Sequence, residues 1–316
     1  MATLITGSGL IGTSFGECAA QRGERLVFFD SAPREEFLRD KLGGADYVSV
    51  RGDILDLPCL TQTIREHAID TLIHTAALIA GKVAANPHWA FTVNIQGTIN
   101  VAEAARLTGV TRVVHVSTLS VYDRRFESAP AVAEDSPRGQ STPYGYSKSV
   151  QELVLEAYQR QYGFDLLVVR LAHVFGLGHF LGGAASGAIT HTLLTCGRRG
   201  EVANIELDQT RPLERIYAKD VGRAVDQAAT VSMPPVTVFN IGTGQITTFD
   251  ELVLAARKIL PALRVAVVGD GSARAAAKQP LDMSRARKYL AWEPRFSLDT
   301  ALRDYLNDIE RLEPKG

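Results

Sequence analysis

Cysteine is scarce in this chain: Cys18, Cys59 and Cys196 are the only three in 316 residues, and no two form a Cys-x-x-Cys pair. An odd, scattered set excludes a disulfide framework and a cysteine zinc site, and it predicts reduced thiols in a cytosolic setting. Net charge is almost absent too, since 34 Lys and Arg against 35 Asp and Glu leave −1. Such a balance supplies no broad field to gather nucleic acid or anionic lipid, so neither is an expected partner. No apolar run approaches the roughly 20 residues of a membrane span. The chain enters Leu4-Ile5 without a basic leader, which predicts no targeting segment. Internal repeats, low-complexity tracts and long charge runs are also missing. What remains, 46% hydrophobic and 22% charged residues, is enough apolar side chain to bury a sizeable core in one elaborated domain or two joined lobes.

Short apolar runs at 3–6, 25–30, 47–51, 71–75, 112–117 and 166–171 read as strands, and helical patterns fill the gaps. Parallel neighbours need crossover connections, so this alternation predicts an α/β fold, a doubly wound parallel sheet with helices on both faces. One long helix is expected to start at the cap Asn86, with Pro87 in its first turn, and to run to Gly109. After Leu171 the texture changes. Gly176, Gly178, Gly182, Gly183 and Gly187 suggest a mobile loop over a site, followed by a polar segment at 208–215. A strand at 236–241 and helices at 250–260 and 298–312 follow, with Ser232-Met233-Pro234-Pro235 as a connecting loop. We expect a Rossmann cofactor domain from 1–171 and 217–241, and a smaller C-terminal substrate-binding lobe from 172–216 and 242–316.

Thr6-Gly7-Ser8-Gly9-Leu10-Ile11-Gly12 follows the first strand and opens a helix, the setting in which a Gly-x-Gly-x-x-Gly motif acquires meaning. Gly7 permits the turn, Gly9 lets backbone approach a pyrophosphate, Gly12 lets helix and strand pack closely, and the amides of Leu10 and Ile11 face the phosphates. Asp30 ends the second strand, where a carboxylate accepts hydrogen bonds from the adenosine ribose and repels a 2′-phosphate. NAD is therefore the expected cofactor, although Arg34 nearby could tolerate NADP. Asp53, in Gly52-Asp53-Ile54, could bond the adenine amine with Ile54 beside it, or could cap a helix. Ala76-Ala77 offers small side chains beside a cofactor or plain packing.

Tyr144-Gly145-Tyr146-Ser147-Lys148 falls at the start of a helix expected to reach Tyr162, so Tyr144 and Lys148 share a face. A phenol of pKa about 10 is a poor base at neutral pH, but a nearby ammonium and a cationic nicotinamide both favour its phenolate. Tyr144 could then exchange a proton with a substrate hydroxyl. Lys148 would also hold the nicotinamide ribose, and Thr118 at the end of the fifth strand would orient the reacting oxygen. A lone Tyr-x-x-x-Lys is commonly an exposed helical pair; its place after the cofactor motif gives it chemical weight.

Taken in order, Thr6–Gly12, Gly52-Asp53, Asn94-x-x-Gly97-Thr98, Val116-Ser117-Thr118-Leu119-Ser120-Val121-Tyr122, Tyr144–Lys148, Phe239-Asn240-Ile241-Gly242 and Leu290-Ala291-Trp292-Glu293-Pro294 resemble the extended short-chain dehydrogenase/reductases, the NAD-dependent epimerase/dehydratase group. The resemblance covers most of the chain. It implies that Thr118, four before Tyr122, takes the catalytic Ser/Thr place, with Ser117 and Ser120 as lesser claimants, and that Asn94 supports the site by a hydrogen bond. It also implies a homodimer formed through helices 86–108 and 144–162. Three departures carry information. The glycine loop is one residue tighter than the family's Thr-Gly-x-x-Gly-x-x-Gly. Leu119-Ser120 stands where the family's dehydratases carry an Asp-Glu pair, which argues against sugar 4,6-dehydration. His173 stands in the stretch where many nucleotide-sugar epimerases place an Asn on the substrate diphosphate, which argues against a nucleotide sugar.

His173 is thus either a substrate contact or a packed histidine. His179 and His191 complete no metal motif with it, and no metal is expected. Arg211, Arg215 and Arg274 are candidates for holding a carboxylate or phosphate of the substrate, with Thr118 and Ser120 nearer the reacting carbon. The leading expectation is reversible, NAD-dependent oxidation of a secondary alcohol on a polar, sugar-derived small molecule. A nucleotide-sugar epimerase that works through a transient ketone is the alternative, and a catalytically silent NAD-binding regulator is a third.

Overall fold

A computed structural model describes residues 2–123, 130–139, 142–178, 185–269 and 279–312. The first half runs β1 (Ala2–Thr6), α1 (Leu10–Gln21), β2 (Arg25–Asp30), α2 (Glu35–Leu42), β3 (Tyr47–Arg51), α3 (Leu57–Glu66), β4 (Thr71–His74), α4 (Ala80–Ala85), α5 (Pro87–Phe91), a π-helical turn (Thr92–Gln96), α6 (Gly97–Thr108) and β5 (Arg112–Thr118). The second half runs α7 (Pro143–Tyr162), β6 (Asp165–Leu171), β7 (His173–Phe175), α8 (Ala185–Arg199), β8 (Val202–Glu206), β9 (Arg215–Tyr217), α9 (Ala218–Thr230), β10 (Val238–Ile241), α10 (Phe249–Ile259), β11 (Arg264–Val268), α11 (Ser284–Leu290) and α12 (Leu298–Leu312).

Seven strands form one parallel sheet in the order β10-β6-β5-β4-β1-β2-β3. Central strands in such a sheet are covered on both faces, so they need continuous apolar runs, and every residue of β1 and of β4 is buried. Successive side chains alternate: Ile5, Ile73, Val114 and Val169 enter one core, and Leu4, Leu72, Val113 and Val168 enter the other. The chain moves outward from β1 to β3 and then returns to the far side of β1 with β4. This reversal opens the crevice at the carboxyl ends of β1 and β4 where doubly wound sheets bind ligands. A third core, around Phe175, Leu193, Leu252, Leu302 and Tyr305, belongs to the smaller C-terminal lobe. That lobe also carries the parallel pair β8–β11, while β7 pairs with β9.

The six expected strands are all present, with β4 ending at His74 and β5 reaching Thr118. Asn86 does cap a helix, its Oδ1 accepting from the Trp89 amide at 3.1 Å, and Pro87 opens the first turn. The helix to Gly109 is nevertheless broken by the π-helical turn. The Asn94 carbonyl at that turn accepts from Thr98 Oγ1 and from Gln151 Nε2, each at 2.7 Å, so side chains compete there with the regular ladder. The glycine-rich stretch read as one loop over 176–187 is shorter than that, because α8 already begins at Ala185 and Gly187 is helical. His179, Gly182, Gly183 and Arg274 lie outside the described residues. Among the described residues no helix is long and apolar enough to cross a membrane.

Candidate active site

The turn between β1 and α1 makes the floor of the crevice. Gly7 has φ +95°, which disfavours any side chain, and a Cβ there would stand 2.8 Å from Thr75 Oγ1. A Cβ on Gly12 would stand 2.2 Å from the Gly7 carbonyl oxygen, so only glycine lets α1 approach β1 this closely. Gly9 is different: a Cβ there would meet nothing within 4 Å, and its dihedrals, φ −81° and ψ −167°, are ordinary extended backbone. Gly9 is also the N-cap of α1, which has no side-chain cap and no acid in its first turn. The leading amides of Leu10 and Ile11 and the positive end of the helix dipole are therefore left for a phosphate.

Asp30 stands beside this floor. Its Oδ2 accepts from the Ser8 amide at 2.7 Å and the Ser8 hydroxyl at 2.8 Å, and its Oδ1 accepts from the Ala32 amide at 2.9 Å. The carboxylate expected at the ribose thus also clamps the glycine loop. Ala76 is immediately adjacent, its amide donating to Thr6 Oγ1 at 3.4 Å. Asp53 accepts from the Leu55 amide at 2.9 Å, while the helix cap is Asp56, bonded to the Cys59 amide at 3.0 Å. The side chain of Ile54 packs against Gly97, and its carbonyl accepts from Asn100 at 2.9 Å. The floor, the uncapped helix end and the acid at the end of β2 fit a dinucleotide.

The side chains expected to react meet at the carboxyl end of β5. Thr142 caps α7, its Oγ1 accepting from the Gly145 amide at 3.2 Å, with Pro143 in the first turn. This start places Tyr144 so that its hydroxyl shares a hydrogen bond with Thr118. Thr118 Oγ1 also accepts from the Ser120 amide at 3.2 Å, which holds the turn after β5. Leu119 in that turn is buried. One helical turn after Tyr144, Lys148 is buried and its Nζ donates to the Val116 carbonyl at 2.8 Å. Asn94 accepts from the Leu78 amide at 2.7 Å and donates to Ser147 Oγ at 3.0 Å, joining the π turn to the residue beside Lys148.

Burial alone moves both titrating groups away from the chemistry they are suited to. It pushes the Tyr144 phenol up to about 12, against a hydrogen bond from Thr118 that favours the phenolate. It pushes Lys148 down to about 7, against the charge of Glu152, which favours the ammonium. Two buried imidazoles adjoin Lys148. His74 lies between Thr6 Oγ1 at 2.8 Å and Thr98 Oγ1 at 2.9 Å, and burial followed by the charge of Lys148 drops it to about 3. His115 stacks beside it with ring centroids 5.3 Å apart and is kept neutral for the same two reasons.

Behind these groups lies a polar assembly that the sequence reading missed. Glu152 accepts from Ser117, Arg170 and Arg138, and the Tyr122 hydroxyl donates to Asn240 at 2.5 Å. Glu214 accepts from the Thr243, Gly244 and Leu281 amides. Ser117, Tyr122 and Asn240 stood in motifs already noted, though not for this network, and Glu152 had the signal of its spacing of four from Lys148. In the region expected to face substrate, His173 is in register with Arg215 across β7 and β9, and its amide donates to the Glu214 carbonyl at 3.1 Å. Arg215 is buried, and burial together with the charge of Arg211 lowers it to about 10. Three expected substrate contacts therefore lie in one region. His191 is elsewhere, bonded to Tyr305 at 3.0 Å. Among the described residues no group of three or more His, Cys, Asp or Glu side chains is placed to hold a metal ion.

A parallel sheet of this order, a glycine turn opening onto an uncapped helix, and a Thr-Tyr-Lys set at the next strand end define a Rossmann-fold oxidoreductase of the short-chain type. The chain belongs to the NAD dependent epimerase/dehydratase family, whose model matches residues 3–242. It is an NAD-dependent enzyme. It is 31% identical over 309 residues to a UDP-glucose 4-epimerase of Mycolicibacterium smegmatis, covering 94% of this chain and 95% of that one. Among solved structures, the UDP-glucose 4-epimerase of Thermotoga maritima with UDP-glucose is 26% identical with a TM-score of 0.84, over 99% of this chain and 100% of that one. A dTDP-glucose 4,6-dehydratase of Xanthomonas campestris is 31% identical over 195 residues, 57% of this chain and 55% of that protein.

Proposed function

We propose that the protein is a nucleotide-sugar 4-epimerase. The observation that carries this reading is the turn after Thr118, where buried Leu119 and neutral Ser120 supply no acid to expel a hydroxyl. Chemistry then begins and ends at one carbon. In sequence, the end-to-end likeness to a 4-epimerase, set against a match over 57% of the chain to a dehydratase, supports it. Tyr144 removes the proton of the sugar hydroxyl as phenolate and returns it to the ketone oxygen, while Thr118 orients that oxygen. NAD, when bound, supplies hydride acceptance and return. Lys148 stabilises the phenolate and holds the ribose; Gly7, Gly9, Gly12, the Leu10 and Ile11 amides, Asp30 and Asp53 bind the dinucleotide, with Ala76 alongside. Arg211 and Arg215, with Arg274, hold the substrate diphosphate, since guanidinium groups bind phosphates in bidentate fashion.

Residues 1–171 and 217–241 act as the cofactor domain in this reading, and 172–216 with 242–316 shape the substrate pocket. Net oxidation of a different sugar-derived alcohol is the second reading, favoured by His173 in place of an asparagine. Incubation with UDP-glucose separates the two. Conversion to UDP-galactose without net NADH accumulation is the expected result; NADH build-up on a sugar panel, with no epimer formed, would replace it with the dehydrogenase reading. The three free cysteines suit a reducing, cytosolic setting.

The same reading includes a homodimer. Trp89, Phe91, Leu107, Tyr146, Leu153 and Tyr162 expose apolar surface along α5, α6 and α7, more than scattered surface residues require. Leu153→Glu is expected to convert a dimer to monomer in analytical sedimentation, and a wild type that sediments as monomer at micromolar concentration would remove the dimer.

A further inference from the structure

Three consecutive residues of β5 are tied to α7 by residues spaced four apart. Val116 accepts from Lys148 Nζ at 2.8 Å, Ser117 Oγ donates to Glu152 Oε1 at 2.5 Å, and Thr118 shares its bond with Tyr144. Glu152 is fully buried, and it also accepts from Arg170 Nε at 3.0 Å, Arg170 Nη2 at 2.7 Å and Arg138 Nη1 at 3.1 Å. Arg170 is held in turn by the Glu134 carbonyl at 3.0 Å and by the Tyr122 ring, 4.8 Å from its guanidinium carbon. Arg138 is shared with Glu156 at 2.9 Å. Apolar side chains could pack α7 onto the sheet at lower desolvation cost, so a buried, paired carboxylate calls for a role beyond packing.

Lys148 indicates that role. The groups facing it are His74 on β4, His115 on β5, and Tyr144 and Glu152 on its own helix. Both imidazoles are neutral and the phenol is protonated in the absence of cofactor, so Glu152 is the anion acting on Lys148 among the described residues. We propose that Glu152 is a positioning residue of the reaction: its carboxylate fixes the Ser117-Thr118 end of β5 against α7 and supplies the charge that keeps Lys148 an ammonium. The inference rests on Tyr144 and Lys148 being the reacting pair. Arg138, paired to Glu152 from the partly exposed side, attenuates that charge.

Opposite charge changes test this. Lysine labelled with carbon-13 at Cε is titrated by NMR in the cofactor-free protein, and the Lys148 resonance is identified by its loss in Lys148→Met. Glu152→Gln is expected to lower the Lys148 midpoint by about one pH unit, and Arg138→Gln to raise it. Ser117→Ala keeps the charge and loosens the strand, so kcat falls while the midpoint stays. In the epimerase assay the alkaline limb of kcat, where Lys148 loses its proton, moves to lower pH in Glu152→Gln with KM little changed. A midpoint unmoved in both charge variants overturns the proposal, and Arg138→Gln decides alone if Glu152→Gln does not fold. Midpoints that move as stated in a protein without epimerase activity uphold the hold of Glu152 on Lys148 and count against the epimerase reading instead.

Discussion

Tyr144→Phe is expected to lower turnover of the proposed nucleotide-sugar substrate by about 10²–10⁴-fold while leaving the fold and bound NAD in place. Only one oxygen is removed. Its partner Thr118 keeps a second bond, from the Ser120 amide at 3.2 Å, so the turn after β5 is retained and the stability cost stays near that of one hydrogen bond, about 1 kcal/mol. The chemical cost is far greater, because among the described residues the basic side chains nearest Tyr144 are poorly suited to replace it. Lys148 is engaged with the Val116 carbonyl, and the imidazoles of His74 and His115 are buried and made weak bases by that burial and the charge of Lys148. Steady-state rates at saturating substrate, with NAD content read from absorbance after denaturation, separate loss of chemistry from loss of cofactor. A Tyr144→Phe enzyme within tenfold of wild type would move the proton transfer to another residue and remove the phenol from the mechanism.

The parts of this enzyme that sequence makes visible are those set by local or strictly periodic rules. The central strands are apolar runs buried on both faces, and β1, β2, β5 and β6, together with the partly buried edge strand β3, could be delimited within one residue. Gly7 and Gly12 could be assigned because a tight turn and a close helix each tolerate only glycine. Tyr144 and Lys148 could be paired because helical spacing of four is a property of the chain itself. Features built from distant segments were hidden. The π turn depends on Thr98 and on Gln151 from another helix reaching the Asn94 carbonyl, and no pattern around Asn94 announces that competition. Strands β8 and β11 pair Val202 with Arg264 and Ala203 with Val265, 62 positions apart in the chain, and each is short with one partly open face. Burial adds what charge alone does not show: the ammonium and a cationic nicotinamide were expected to favour the Tyr144 phenolate, and in the protein without cofactor desolvation lowers Lys148 and raises Tyr144 together.

Gly9 and Gly12 belong to one motif, yet substitution should separate their physical roles. Gly12→Ala drives a methyl to 2.2 Å from the Gly7 carbonyl oxygen, a contact that can be relieved only by parting α1 from β1. Overpacking of this kind costs about 1–3 kcal/mol, so the cofactor-free protein should melt several degrees lower and bind NAD poorly because the helix end has moved. Gly9→Ala carries no such penalty, since its backbone is extended and the new methyl meets no protein atom within 4 Å. Its cofactor-free melting temperature should match wild type. That same open space lies over the uncapped amides of α1, where a pyrophosphate would rest, so NAD affinity should fall at least about tenfold, equivalent to about 1.4 kcal/mol. Scanning calorimetry without cofactor and titration calorimetry with NAD give the two quantities independently. Undiminished NAD binding by Gly9→Ala would mean that the pyrophosphate does not cross Gly9 and that the tighter glycine spacing has redirected the cofactor. Stability lost without affinity in Gly12→Ala, together with affinity lost without stability in Gly9→Ala, would assign close packing and phosphate access to separate residues of the same turn.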